Sequence, residues 1–324
     1  EYDLINNHII ENSIQGKAQI KDAKIRFHKD VDAVNTKSLD IFFKDNRLHF
    51  NLMEPMFKDK KLDGSFVLIN NLTSEKNGQV DVFLKTNSKL DKDILDILKA
   101  YNITLPIIQK NGNTQASLLM KFPYDTTKNM STYGEFFLND AKVAINNFEF
   151  ESKNAEVILD DSIIKIKNSD FKYKDMINAT LNLNLDIKTL KSYGDANIKS
   201  FLIKEENKES LVEIKDKNTA IDLNFNNEVS ILLKDLGTNI KISDLIYVNI
   251  DDLSKIYPYS KLLKDNSIKE GIVALQIKDE KNINFEAFIK GLNLPLQKND
   301  TNIDSLEING KIEDGKTKIS SKDE

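Results

Sequence analysis

The stretch NATLNLNLDIK, residues 178–188, changes between polar and apolar at every step. Asn178, Thr180, Asn182, Asn184, Asp186 and Lys188 are polar; Ala179, Leu181, Leu183, Leu185 and Ile187 fall between them. Period two is the side-chain period of a strand, so the stretch predicts a strand with one wet face and one dry face. The period returns at Ala18-Ile20, Leu48-Phe50-Leu52, Val80-Val82-Leu84 and Ala116-Leu118-Met120-Phe122. Later come Ile164-Ile166, Phe171-Tyr173, Ile221-Leu223-Phe225, Val229-Ile231-Leu233 and Ile240-Ile242. The pattern closes with Val273-Leu275-Ile277, Ile283-Phe285-Ala287-Ile289 and Leu306-Ile308. Asn77-Gly78, Asn111-Gly112, Asp63-Gly64, Asn226-Asn227 and Asp314-Gly315 punctuate these runs as tight-turn signals. Such short spacing leaves no room for crossover helices, so the sheet is antiparallel, with roughly 18 to 22 strands.

Two stretches carry helical spacing instead. In residues 89–101, Leu90, Ile94, Ile97, Leu98 and Tyr101 share one face, with Ser88 as a cap and Asp91 three residues on. In residues 251–267, Pro258 breaks the run, predicting a turn at 252–257 and a short helix from near Pro258. Each helix is followed by a Gly and a strand, Gly112 before residues 117–121 and Gly271 before 274–278. That hints at a repeat, with units of about 1–88, 89–250 and 251–324 in one continuous segment.

One apolar face per strand also suits a β-sandwich of two facing sheets, and a structural or adhesive surface module of stacked sandwiches is the competing reading. Against it, almost no strand is apolar on both faces, and five Pro and eleven Gly leave few domain breaks. Helices are too few to cover the dry face. A meander of this kind curls lengthwise into an open groove; with ~4.8 Å between strands, 20 strands make a trough on the order of 100 Å long. Soluble monomers rarely leave so large an apolar face bare, so something apolar must cover it, and acyl chains are natural candidates.

Composition changes this picture little. Of 324 residues, 40% are hydrophobic and 30% charged, ordinary values for a globular protein. The net charge is −5, with lysines and acids mixed, so no nucleic-acid footprint is expected. The chain has no cysteine, which removes disulfides and thiolate metal sites. No apolar run approaches the ~18–20 residues that cross a bilayer, and Glu1-Tyr2-Asp3 opens no signal peptide. The chain therefore reads as a soluble protein or a trimmed piece of a longer one, and its abrupt start favours a piece.

Catalytic chemistry is thin. GKIEDGKT, Gly310 to Thr317, fits the phosphate-loop spacing, but that loop needs a following helix, and Asp314-Gly315 reads better as a hairpin turn. His8, His28 and His49 lack metal-ligand spacing, and Asp160-Asp161 and Asp251-Asp252 fall at turns or helix starts, where Asp bonds locally. No nucleophile elbow occurs. No catalytic residue, metal or cofactor is expected. Lys165, Lys167, Lys172 and Lys174 read as a solvated face; at a groove mouth they would meet lipid phosphates. The groove lining is expected at Ile164, Ile166, Leu181, Leu183, Leu185, Ile221, Leu223, Phe225, Val229, Ile231 and Leu233.

The helix DILDILKAY, followed by LPIIQKNGNTQASLLMKF and then by LNDAKVAINNFEFESKNAEVILDDSIIKIKNSDFKYKDMINATLNLNLDIK, resembles the AsmA-like family of the YhdP and TamB type. Members carry a short helix, an LP segment, a Gly-led strand and repeated strand pairs. The resemblance spans about residues 40–300 and is one of pattern rather than of an invariant motif. It implies a periplasmic β-groove of Gram-negative bacteria, tethered to the inner membrane by a helix that this chain lacks. It further implies a non-catalytic conduit for phospholipid between inner and outer membranes, with phospholipid acyl chains and membrane components as partners.

Overall fold

The computed structural model describes residues 2–9, 14–26, 28–72, 76–100, 107–145, 148–204, 210–226, 228–279, 281–296, 299–314 and 316–321. In chain order the strands are β1 (Tyr2–Asp3), β2 (His8–Ile9), β3 (Gly16–Ile25), β4 (Val34–Lys44), β5 (Arg47–Met53), β6 (Met56–Phe57), β7 (Lys60–Lys61), β8 (Phe66–Asn70) and β9 (Gln79–Ser88). Helix α1 (Lys92–Ala100) precedes β10 (Ile107–Pro123), β11 (Ser131–Ile145), β12 (Phe148–Asp160), β13 (Ile163–Tyr173), β14 (Ile177–Asp186), β15 (Lys191–Lys204), β16 (Ser210–Asn224), β17 (Val229–Leu233), β18 (Thr238–Ile242) and β19 (Ile246–Ile250). Helices α2 (Leu253–Ile256) and α3 (Lys261–Asp265) precede β20 (Glu270–Asp279), β21 (Asn282–Leu296), β22 (Asn299–Glu313) and β23 (Lys316–Ser321). The fold is mainly β: one antiparallel sheet of 21 strands, not closed into a barrel, with few short helices. Among the described residues β3 pairs only with β4, and β23 only with β22. The expected antiparallel meander is therefore present. No helix among the described residues is long and apolar enough to cross a membrane.

The chain packs as two compact units, residues 1–141 with 154–165, and residues 142–153 with 166–324. In the first, period two is carried from strand to strand by the pairing. Ala18 lies opposite Ile41, then Ile41 opposite Phe50, Phe50 opposite Val67, Val67 opposite Val82, and Val82 opposite Met120. Val34, Leu39, Leu52, Phe57 and Leu62 form the buried cluster on this face. The far face is less polar than the sequence pattern suggests. Asn51, Phe66, Phe83 and Leu119 line up across it; Asn51 is exposed, the other three are half-buried, and the rings of Phe66 and Phe83 stack at 5.1 Å. Phe66 and Leu68 interleave with the inward Val67 and Ile69, so β8 is apolar on both faces.

Helix α1 starts later than expected, because Asp91 and not Ser88 is its cap: Asp91 Oδ1 accepts from the amides of Asp93 and Ile94 at 3.1 and 3.4 Å. Ser88 ends β9, and Tyr101 lies outside the described residues. In the second unit, Asp252 caps α2, Pro258 sits in a 3-10 turn at Tyr257–Tyr259, and Ser260 caps α3. The proline ends one helix and the serine starts the next, so the chain turns where a single helix would have run straight.

Several strands contain a left-handed residue in mid-course. Asp22, Asp140, Asn168 and Asp216 have φ of 51°, 45°, 42° and 49°. Asp and Asn are the non-glycine residues that tolerate this region best. The ladder resumes in unchanged register beyond Asp22 and Asp216, so these points bend the strand without slipping it. Gly112 and Gly271 also have positive φ, 84° and 143°, and at both a Cβ would collide with the next strand's backbone, at the carbonyls of Asp140 and Phe288. The two post-helix glycines lie inside β10 and β20 rather than ahead of them, Gly271 next to the start of its strand and Gly112 further along. Asp216 is exposed, so Asp216→Val tests the bend alone. It is expected to destabilise the fold by about 1–2 kcal/mol, and Asp216→Asn to be near neutral, in urea denaturation.

Candidate functional site

The dry face of the second unit can be built from register alone. One row runs Val229, Ile242, Ile246, Ile277, Ile283, Ile312, each opposite the next on the neighbouring strand. All six are between 2% and 8% exposed. A second row runs Leu183, Gly194, Ile221, Leu233, Thr238, Ile250, Val273, Ala287, Ile308. Between them lies a third: Leu185, Ser192, Leu223, Ile231, Ile240, Val248, Leu275, Phe285. In this middle row Ile231, Ile240, Leu275 and Phe285 remain half-buried, while the first row is closed off. The result is two accessible apolar patches in one row, Ile231 with Ile240 and Leu275 with Phe285, with the buried Val248 between them.

A helical segment covers part of this face. Leu253, Ile256, Leu263 and Ile268 are 2–8% exposed and join the same buried cluster as Ile214, Leu236 and Ile250. Thr219 and Asp235 clasp its border: the Asp235 amide donates to Thr219 Oγ1 at 3.2 Å, and the Ala220 amide donates to Asp235 Oδ2 at 3.0 Å. That amide bond comes first among the causes holding the Asp235 carboxyl below its usual range.

The expected lining residues divide in three. Leu183, Ile221, Leu223, Val229 and Leu233 sit together in the buried cluster, and Ile166, Leu181, Phe225 and Ile231 pack half-buried against it. Leu185 is buried opposite Ser192. Ile164 belongs to the first unit, apart from the other ten. Ile240, Leu275 and Phe285 were absent from the expected lining, although their period-two runs are plain. The missing signal was pairing register, which brings them level with Ile231.

The opposite face is wet and bonded along the strands. Ser230, Lys241, Tyr247, Gln276, Asn284, Lys311 and Lys318 form its corresponding row. Asn284 donates to Gln276 at 3.2 Å and Gln276 to the Tyr247 hydroxyl at 3.4 Å. Of the face expected to be solvated, Lys165 pairs with Asp160 at 3.1 Å and Lys172 with Asp175 at 3.7 Å.

Gly310 to Thr317 spans the β22–β23 hairpin, where a strand follows instead of the helix a phosphate loop needs, and Gly315 lies outside the described residues. Among the described residues no group of three or more His, Cys, Asp and Glu stands where it could hold a metal. His28 Nδ1 accepts from the Asp30 amide at 3.2 Å, His49 lies between Phe42 and Leu68 across the sheet, and the His8 side chain is outside the described residues.

The division between sealed and accessible rows is measurable. Ile277→Ala is expected to cost about 2–5 kcal/mol, as a cavity in a closed core does. Ile231→Ala, already half in solvent, is expected to cost under about 1.5 kcal/mol. Equal costs in denaturant unfolding would mean that the patches are sealed too.

The sequence was compared with known proteins. No curated protein and no solved structure matches it. A family model described as YhdP protein matches residues 4–251, a range that holds all eleven expected lining residues and stops short of α2. The match covers well over half of the 324 residues, and the chain belongs to the YhdP family.

Proposed function

We propose that this chain is a non-catalytic conduit segment that shields phospholipid acyl chains from water while lipids pass between the inner and outer membranes. Membership of the YhdP family points to lipid transport in general. The observation that supports the finer reading is the row of half-buried side chains, Ile231 with Ile240 and, beyond the buried Val248, Leu275 with Phe285. An acyl chain laid along it would gain about 0.8 kcal/mol for each methylene removed from water. That gain carries no direction, so a tail can slide from one strand's side chains to the next with little change in energy. The same property makes selection among acyl chains weak. In this reading the protein works in the periplasm, tethered to the inner membrane by a helix outside the chain, with components of both membranes as partners.

Photo-crosslinking tests the path. A benzophenone amino acid placed at Ile231 or Leu275 in protein purified from cells is expected to yield phospholipid adducts by mass spectrometry. The same group at Tyr247 or Asn284, on the wet face, is expected to yield none. Absence of lipid at Ile231 and Leu275, or equal labelling of both faces, would end the proposal.

A further inference from the structure

In the first unit, α1 is seated unlike the helical segment of the second. The second unit sinks Leu253, Ile256, Leu263 and Ile268 to 8% exposure or less. No residue of α1 is buried. Its apolar stripe, Ile94, Ile97 and Leu98, is half-buried, and it is Ile97 that meets the cluster of Val34, Leu39, Leu52, Phe57 and Leu62. A cleft of about 420 Å³ lies beside the helix, with Val31, Phe57, Ile97 and Ala100 among its walls, so the helix does not lie flush on the face.

Charge holds the helix where packing does not. Lys58, in the turn between β6 and β7, reaches Asp93 at 2.5 Å and Asp32 at 3.5 Å. Lys60, its side chain 3% exposed, reaches Asp59 at 2.8 Å, Asp91 at 2.9 Å and Asp93 at 3.4 Å. Burial opposes the charge on Lys60, but its bonds to Asp59 and Asp91 outweigh that and raise its pKa. The bond from Lys58 likewise holds the Asp93 carboxyl below its usual range. Leu90 and Gln109 add a two-way bond at the helix base: the Gln109 amide donates to Leu90 O at 2.9 Å, and the Leu90 amide to Gln109 Oε1 at 2.8 Å. Among the described residues the ion pairs and capping bonds of α1 are at its N-terminal end, and the cleft runs along it from Asp93 to Ala100.

We infer that α1 is a hinged cover on the apolar face of the first unit, latched by Lys58 and Lys60 through Asp91 and Asp93, whose release opens Leu39, Leu52 and Phe57 to a hydrocarbon tail. The hinge stands on geometry alone; the tail rests on the lipid-shielding reading. Lys58 and its partners are partly exposed, so salt screens that arm of the latch, whereas the arm at Lys60 is sheltered.

Hydrogen exchange read by mass spectrometry tests the hinge on the full chain. In Lys58→Gln/Lys60→Met, the amides of residues 92–100 are expected to exchange about tenfold faster, while β4, β5 and β9 keep their protection. Asp93→Asn, which perturbs folding less, is expected to give about threefold. Lys37→Gln removes an exposed pair with Glu54 in the same unit and is expected to change nothing in α1. Unaltered exchange in α1, or a uniform loosening of helix and strands together, would overturn the hinge. A pyrene-labelled fatty acid supplies the second reading: the double variant is expected to bind it more tightly than the parent chain. Faster exchange without tighter binding would keep the hinge and remove the lipid-shielding reading from this unit.

Discussion

The structure depends on keeping apolar side chains on one face while the chain reverses at each hairpin. Because side chains alternate, a slip of one residue in any pairing would send a whole strand's leucines and isoleucines into water. The rows from Leu183 to Ile308 and from Val229 to Ile312 hold only because every turn between them returns the chain in phase. Hydrophobic burial sets the register, and backbone pairing carries it onward.

That constraint explains where bends are allowed. A left-handed residue in place leaves the pairing count alone but moves the inward positions by one, from Ile214 before Asp216 to Thr219 and Ile221 after it. Asp22 and Asp216 do this, with the ladder resuming in step beyond them. The polar face can host such residues cheaply because their side chains point to solvent. The dry face tolerates fewer exceptions: Ser192, between Leu185 and Leu223, is buried with a hydroxyl that finds no partner among the described residues.

Much of this was legible in the sequence. Alternation gave the strands, Asp63-Gly64 and Asn77-Gly78 marked turns while Asn111-Gly112 falls inside β10, and helical spacing placed α1 and the broken helix around Pro258. Burial was not legible, because it depends on neighbours that period two does not identify. Leu181 and Leu183 share a strand and a face, yet Leu183 is buried and Leu181 is half-exposed to its surroundings. Ser88 and Asp91 both fit a cap, and the choice fell to Asp91, which also reaches the distant Lys60. The left-handed aspartates looked like ordinary outward strand residues. The anchoring of α1 was hidden because Lys58 and Asp93 are 35 residues apart and neither belongs to a motif.

From β16 onward in the second unit, the described residues of each strand of the sheet bond to the strand before it and the strand after it, where there is one. Cohesion in such an array is a sum of local terms, much as in solenoid proteins. Gene duplication can then add or delete a hairpin and leave the remainder undisturbed, provided the newcomer keeps phase. Reach becomes an evolvable quantity, adjustable two ribbons at a time, without any redesign of the interior.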